Sequence, residues 1–443
     1  MKIIYFNFLL IILTFSVSAQ TNQVSIVNNE LGFKLQVDDK DFIINGMNWD
    51  YIPIGKNPLD ANFWENSDEI IKEALKSEMI LLKNMGVNTL RLYTGVPAKW
   101  IQYIYENYGI YTMLNHPFGR YGLSIDGVWI PVTDYSNPKA QKQLLSEIES
   151  LIKAYKNTPG LLMYLLGNEN NYGLFWAGSE TEDFPDDEKE KQRLGEIRGR
   201  PMYRLMNEAA KKIKKMDENH PVAICNGDTL FIDIIAQECK DVDVFGTNTY
   251  RGVSFTGIFN EVKQKLNKPL LFTEFGADAF NAKSNKEDQC SQAYYLIANW
   301  KEIYQNTYGK EKAQNSIGGF TFQFNDGWWK YDFDHRRNVN IHDKTPNWAN
   351  QGYNKDWVSG KNNMNEEWFG ICAKGPTNSK GLFTSYPRAA YYALQEVHQL
   401  NPYDHKVDLK VINKHFKKIS IKKANNKAKV DTAILEKILK KKK

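Results

Sequence analysis

Cysteine is scarce in this chain. Its 443 residues hold four, Cys225, Cys239, Cys290 and Cys372, and their spacing fits neither a disulfide framework nor a zinc pattern. Buried thiols, or at most one bridge, are expected. Beyond the N-terminus no apolar run is long enough to span a bilayer. No Gly-rich dinucleotide fingerprint follows any of the apolar runs, and no internal repeat is visible. With 42% hydrophobic, 25% charged and 13% aromatic residues, disordered, collagen-like and disulfide-scaffold classes are excluded. The length suits one domain of roughly 250–350 residues with extras, or two domains.

The net charge of +5 is misleading. Residues 401–443 carry 14 Lys, no Arg and four acids (Asp404, Asp408, Asp431, Glu436), a net +10, which leaves −5 for the rest. The basic balance belongs to a tail, so it gives no reason to expect a nucleic-acid partner.

Residues 1–19 read as a secretory signal. Lys2 supplies the positive region, Ile3–Phe15 a short apolar core, and Val17-Ser18-Ala19 a small-residue cleavage site. Gln20 follows rather than Cys, so lipoprotein attachment has no anchor point. The chain is expected to act in a secreted or periplasmic setting, with no stable membrane span after cleavage.

Eight short, largely apolar runs recur: Ile43–Asp50, Val87–Tyr93, Ile110–His116, Leu161–Asn170, Val222–Asp228, Val242–Tyr250, Leu270–Gly276 and Gly319–Asn325. They are continuous rather than alternating, as parallel strands covered on both faces are. Helical patterns separate them, opened by signals such as Asn66-Ser67-Asp68-Glu69 and Pro97. The alternation predicts an α/β fold, a single (β/α)₈ TIM barrel over 41–400, after a lead-in at 20–40 and before a Lys-rich tail at 401–443. In the tail, Leu409–Lys423 alternates weakly like a strand pair, and Ala433–Lys443 reads as a short basic helix. The loop after the fourth strand is acidic (Glu180, Glu182, Asp183, Asp186, Asp187, Glu188, Glu190) and reads as a solvated flap.

In such a barrel the C-terminal strand ends carry the chemistry. Two of them carry a glutamate: Leu161–Leu166 runs into Gly167-Asn168-Glu169, and Leu270–Thr273 into Glu274-Phe275-Gly276. One carboxylate at the end of an apolar strand could simply cap the next helix. Two, on strands four and seven, point to a catalytic pair. Paired carboxyls suit glycoside hydrolysis, which needs a proton on the leaving oxygen and electron density at the anomeric carbon. Mutual repulsion and unequal surroundings would split their proton affinities.

The chain resembles the clan A retaining glycoside hydrolases through Gly167-Asn168-Glu169 and Thr273-Glu274-Phe275-Gly276-Ala277. It looks most like the barrel of glycoside hydrolase family 2. Asn45-Gly46-Met47-Asn48-Trp49 and Ile52-Pro53-Ile54-Gly55 also resemble bacterial relatives of the family 72 β-1,3-glucanosyltransferases. The resemblance spans about residues 40–400. It implies Glu274 as nucleophile, Glu169 as acid/base, Asn168 on the sugar 2-hydroxyl, Arg91 beside the nucleophile and Tyr250 donating to it. It also implies that His116, Trp328 and Trp329 shape the sugar subsite. Asn248, two residues before Tyr250, would point the same way. Barrel-mouth hydrogen bonding alone would equally explain His116, Asn248 and Tyr250.

Residues 328–369 are rich in rings (Trp328, Trp329, Tyr331, Phe333, Trp348, Tyr353, Trp357, Trp368, Phe369). Sugar C–H faces stack on such rings, though many should be core for a long loop. Lys330, His335, Arg336, Arg337 and Arg251 read as surface charge rather than a site for an acidic sugar. Asp332, Asp334 and His335 are too weakly spaced to argue a metal. The sequence therefore predicts a retaining β-glycosidase needing no cofactor or metal, with a carbohydrate substrate. A β-glucan transglycosylase with the same glutamates, a silent carbohydrate-binding barrel and a metal-dependent barrel hydrolase are the alternatives. Strand one offers the last of these only Asn48 and Asp50.

Overall fold

The computed structural model describes residues 21–58, 62–175, 185, 187–330 and 339–442. The signal segment therefore lies outside the described residues. So do Glu180, Glu182, Asp183 and Asp186 of the acidic loop, and Tyr331, Asp332, Phe333, Asp334, His335, Arg336 and Arg337 of the aromatic loop.

Eight parallel strands close into a barrel in sequential order: Ile44–Asn48, Thr89–Tyr93, Tyr111–His116, Leu161–Leu166, Val222–Gly227, Val244–Asn248, Leu270–Phe275 and Ser316–Thr321. The eighth pairs with the first, Gly318 opposite Ile44 and Thr321 opposite Met47. Their apolar character has a simple cause. Each strand is covered inside by barrel-filling side chains and outside by helices, so neither face needs to be polar. A helix follows every strand. The first, Asp68–Met85, starts at the Ser67 cap and buries Ile71, Leu75, Met79 and Leu82 against the barrel. The last, Ala389–Val397, closes the ring. The eighth strand begins three residues earlier than the sequence suggests. Gly318, at φ +118, and Gly319, where the sequence reading began the run, both lie inside it.

The lead-in is more than a connector. Val24–Asn29, Gly32–Val37 and Lys40–Phe42 form an antiparallel sheet. Its Val24, Leu35 and Val37 pack with Ile44, Leu162, Leu271 and Ile317. Those four sit at or next to the N-terminal ends of their strands, so the sheet plugs that end of the barrel. The opposite end is left for the site.

The tail corrects the sequence reading. Leu409–Lys418 and Ile421–Lys442 are helices, and the expected strand pair at Leu409–Lys423 is absent. Asp408 caps the first by accepting from Val411 N at 2.7 Å. Ile412 and Phe416, four residues apart, are the buried positions, a helical spacing that overrides the weak alternation. Phe416 meets the edge of Tyr304, and Tyr392 donates to Asp431 at 2.5 Å. The tail is thereby docked on the outer helices.

Candidate active site

The side chains at the open end are organised by one guanidinium. Arg91, on strand two, is fully buried. Its Nη1 donates to Glu274 Oε1 at 2.6 Å and to the Thr273 carbonyl at 3.3 Å. Its Nε donates to Asn115 Oδ1 at 2.9 Å, and Nη2 to Asn168 Oδ1 at 2.7 Å. A buried cation is costly unless paired and hydrogen-bonded; here it is both, and it ties strands two, three, four and seven together.

Glu274 sits next to the end of strand seven, 7% exposed. Tyr250 donates to its Oε2 at 2.9 Å, so each carboxylate oxygen has one strong donor. Burial and the facing carboxylates push the Tyr250 phenol well above its ordinary value, which keeps it a donor. The glycine of Glu274-Phe275-Gly276 has a steric reason: a Cβ at Gly276 would lie 2.2 Å from the Phe322 carbonyl oxygen.

Glu169 follows strand four through a local twist. Gly167 (φ +83) and Glu169 (φ +54) are both left-handed, an uncommon and strained choice for a glutamate. Glu169 N donates to the Cys225 carbonyl at 3.0 Å, and Asn168 N to Asn170 Oδ1 at 2.7 Å, which holds the twist. Among the described residues the half-buried Glu169 side chain takes one hydrogen bond, 3.0 Å from Asn248 Nδ2. Burial first, and the Glu274 carboxylate second, raise its proton affinity to about 7.

Asn248 is the second hub. It also donates to Asn168 Oδ1 at 3.2 Å and accepts from Thr273 Oγ1 at 2.7 Å and Cys225 Sγ at 3.2 Å. Six of the sequence candidates, Arg91, Asn168, Glu169, Asn248, Tyr250 and Glu274, thus share one hydrogen-bonded cluster.

His116 does not join it. Its Nδ1 accepts from Phe118 N at 3.1 Å, and its Nε2 lies 3.5 Å from Glu147 on the helix Pro138–Tyr155. Side chains alternate along a strand, so Asn115 takes the inward place and His116 the outward one. Trp328 stacks on His342, which stacks in turn on Trp368. Trp329 lies beside Lys330. Trp368, Phe369 and Tyr353 are buried, as core for the loop. Arg251 is paired with Asp228, and Lys330 with Glu366 at 2.7 Å. All four cysteines are free thiols, three of them buried.

Residues 34–347 match the family described as Glycosyl hydrolases family 2, TIM barrel domain. The chain belongs to that family. Among curated proteins it is similar to the probable 1,3-beta-glucanosyltransferase GAS3 of Saccharomyces cerevisiae, 24% identical over 326 residues, covering 65% of this chain and 56% of the yeast protein. Among solved structures it is similar to a beta-glucuronidase of Bacteroides uniformis (TM-score 0.53, 14% identity, 85% of this chain and 37% of that one). A beta-D-glucuronidase of Dictyoglomus thermophilum is comparable (TM-score 0.51, 16% identity, 87% and 55%). At such identities these likenesses establish the fold, and this family 2 barrel spans about half the length of the relatives it matches.

Sequence reasoning missed three members of the cluster's surroundings. Asn115 was legible, being two residues after the interior Met113. Tyr121, whose hydroxyl accepts from Asn168 Nδ2 at 2.8 Å, carries no signal in the sequence. Nor does Glu366, which the loop after strand eight brings into reach of both Glu169 and Tyr250. Among the described residues no group of three or more His, Cys, Asp or Glu is disposed to hold a metal. No described helix is long and apolar enough to cross a membrane.

Proposed function

We propose that the chain is a retaining β-glycosidase in which Glu274 is the nucleophile and Glu169 the acid/base. One observation carries the reading. The two carboxyls sit in one cluster with opposite equipment: Glu274 faces an arginine and a phenol, while Glu169 has a single amide donor and binds its proton up to about neutrality.

The chemistry follows from that asymmetry. Glu274 attacks the anomeric carbon as Glu169 gives its proton to the leaving oxygen, and the glycosidic C–O bond breaks. The new ester removes the negative charge of Glu274, and with it the second of the causes that raise Glu169, after burial and ahead of Glu366. Glu169 then becomes a competent base. It takes a proton from water, the water oxygen bonds to the anomeric carbon, and Glu274 leaves as carboxylate. Arg91 and Tyr250 hold the Glu274 oxygens in place through both steps, and Asn168, held by Arg91 and Asn248, is set to meet the sugar 2-hydroxyl.

The substrate in this reading is a β-linked oligo- or polysaccharide, met outside the cytoplasm if residues 1–19 act as the signal they resemble. The likeness to a probable 1,3-beta-glucanosyltransferase favours a second reading, in which a sugar hydroxyl replaces water in the second step. A silent carbohydrate-binding barrel would have no use for the Arg91–Glu274 pair together with Glu169.

The test is Glu274→Gly assayed on an aryl β-glycoside. Turnover should fall by roughly 10⁴-fold or more, and azide should restore it with formation of a glycosyl azide. Wild-type turnover in the variant would end the assignment.

A further inference from the structure

We propose that the hairpin after strand three builds a subsite for a further sugar of the substrate chain, with Trp129 as its stacking platform. This rests on the glycosidase reading above and adds to it that the substrate is a chain with at least one sugar beyond the cleaved bond.

The hairpin is a formed element. Leu123–Ile125 pairs antiparallel with Val128–Ile130. The turn residues Asp126 and Gly127 are both at positive φ, the two-residue connection that suits a tight hairpin. Leu123 is buried and anchors it, but Trp129 is 60% exposed. The indole stands in water on a two-stranded ribbon, at the rim of a concavity.

Its seat is shaped. A Cβ at Gly122 would come within 2.6 Å of Trp129 Cζ2, so the absence of a side chain there lets the ring lie down on the backbone. Gly122 sits at φ +98, where a side chain would also be strained.

The ring borders a concavity of about 280 Å³ shared with Tyr121, His116, Gln143 and Glu147. The last three form a continuous polar wall: Gln143 donates to Glu147 Oε1 at 2.9 Å, and Glu147 Oε2 meets His116 Nε2. One apolar ring face beside planar amide, carboxylate and imidazole groups is what a pyranose presents complements for, C–H on its faces and hydroxyls on its rim. This gives the outward-facing His116 a use.

Tyr121 links the concavity to the glutamates. Its ring is 42% exposed, and its hydroxyl holds Asn168, the residue before Glu169. Tyr121 feels the charge of both Glu169 and Glu274, so the concavity adjoins the cluster that the two glutamates share.

The experiment compares wild type with Trp129→Ala on two substrates. One is the oligomer that wild type cleaves fastest in a panel of β-linked gluco-, galacto-, manno- and xylo-oligosaccharides. The other is the β-glycosyl fluoride of the same sugar, whose leaving group is a single atom. KM on the oligomer should rise about tenfold, the loss of one stacked ring, with Trp129→Phe recovering most of it. The fluoride should be turned over as by wild type. Equal kinetics of variant and wild type on the oligomer, or equal losses on both substrates, would overturn the subsite. A wild type inert on the whole panel and on the fluorides would overturn the glycosidase reading itself.

Discussion

Two glutamates in this barrel have proton affinities raised to about 7, and they could hardly be more different. Glu169 stands at the open end; Glu78 lies on the helix Asp68–Met85, 1% exposed. Burial is the first cause in both. Glu78, however, is fully satisfied: Trp49 Nε1 and Asn325 Nδ2 each donate at 2.6 Å, and Ser385 Oγ at 2.8 Å. The donors come from three separate parts of the chain, and nearby Asp326 and Arg388 are locked in a two-toothed ion pair at 2.6 and 2.7 Å. Glu78 knits the loop after strand eight to the first helix. Glu169 has one donor, a strained backbone, and a second carboxylate as its neighbour. A raised proton affinity therefore does not mark a site. Incomplete satisfaction at an open strand end does.

The comparison can be broken most sharply by matched substitutions. Glu169→Gln should lower kcat/KM on an oligosaccharide by about 10²–10⁴-fold while sparing a glycosyl fluoride, which needs no protonation. Glu78→Gln should leave turnover at the wild-type level. Steady-state kinetics that moved equally for both would erase the distinction.

Stability should respond the other way. Glu78→Ala strips three buried donors of their acceptor and opens a void, a cost of about 3 kcal/mol in denaturant unfolding. Glu169→Ala should change stability by less than about 1 kcal/mol, since it removes an awkward buried carboxyl as well as one hydrogen bond.

The pH dependence separates them further. The folded state holds the Glu78 proton more tightly than the unfolded chain does. Its contribution is complete below about 4.5 and is lost as pH rises through about 7, on the order of 3 kcal/mol in all. The difference between wild type and Glu78→Gln, measured from pH 4 to 8, isolates that loss. If the two curves run parallel, Glu78 is not the titrating group.

The smallest effect is at the other glutamate. Activity on an oligosaccharide should decline above about pH 7, as Glu169 loses the proton it must donate. That limb should vanish for a glycosyl fluoride.

The barrel was legible because its signal is local. Eight apolar runs with helical patterns between them are what two-sided burial does to a sequence, and the ends of those runs carried Glu169 and Glu274. The tail misled because Leu409–Lys423 has few apolar residues. Only docking on Tyr304 and Tyr392 shows that Ile412 and Phe416 are a helix face. His116 stays outside the hydrogen-bonded cluster for a different reason: a one-residue step along a strand exchanges inside for outside, and Asn115 holds the inner place.

From the chain alone came the barrel and its two acidic strand ends, since strand-end positions are fixed by periodicity; the family resemblance pointed to Arg91, Asn168 and Tyr250. Folding in three dimensions decided what loops bring together. Tyr121 and Glu366 reach the cluster, Trp328 turns to His342, and Glu78 finds its three donors through contacts between residues far apart in sequence. No local pattern encodes such contacts, because each depends on where another segment comes to rest.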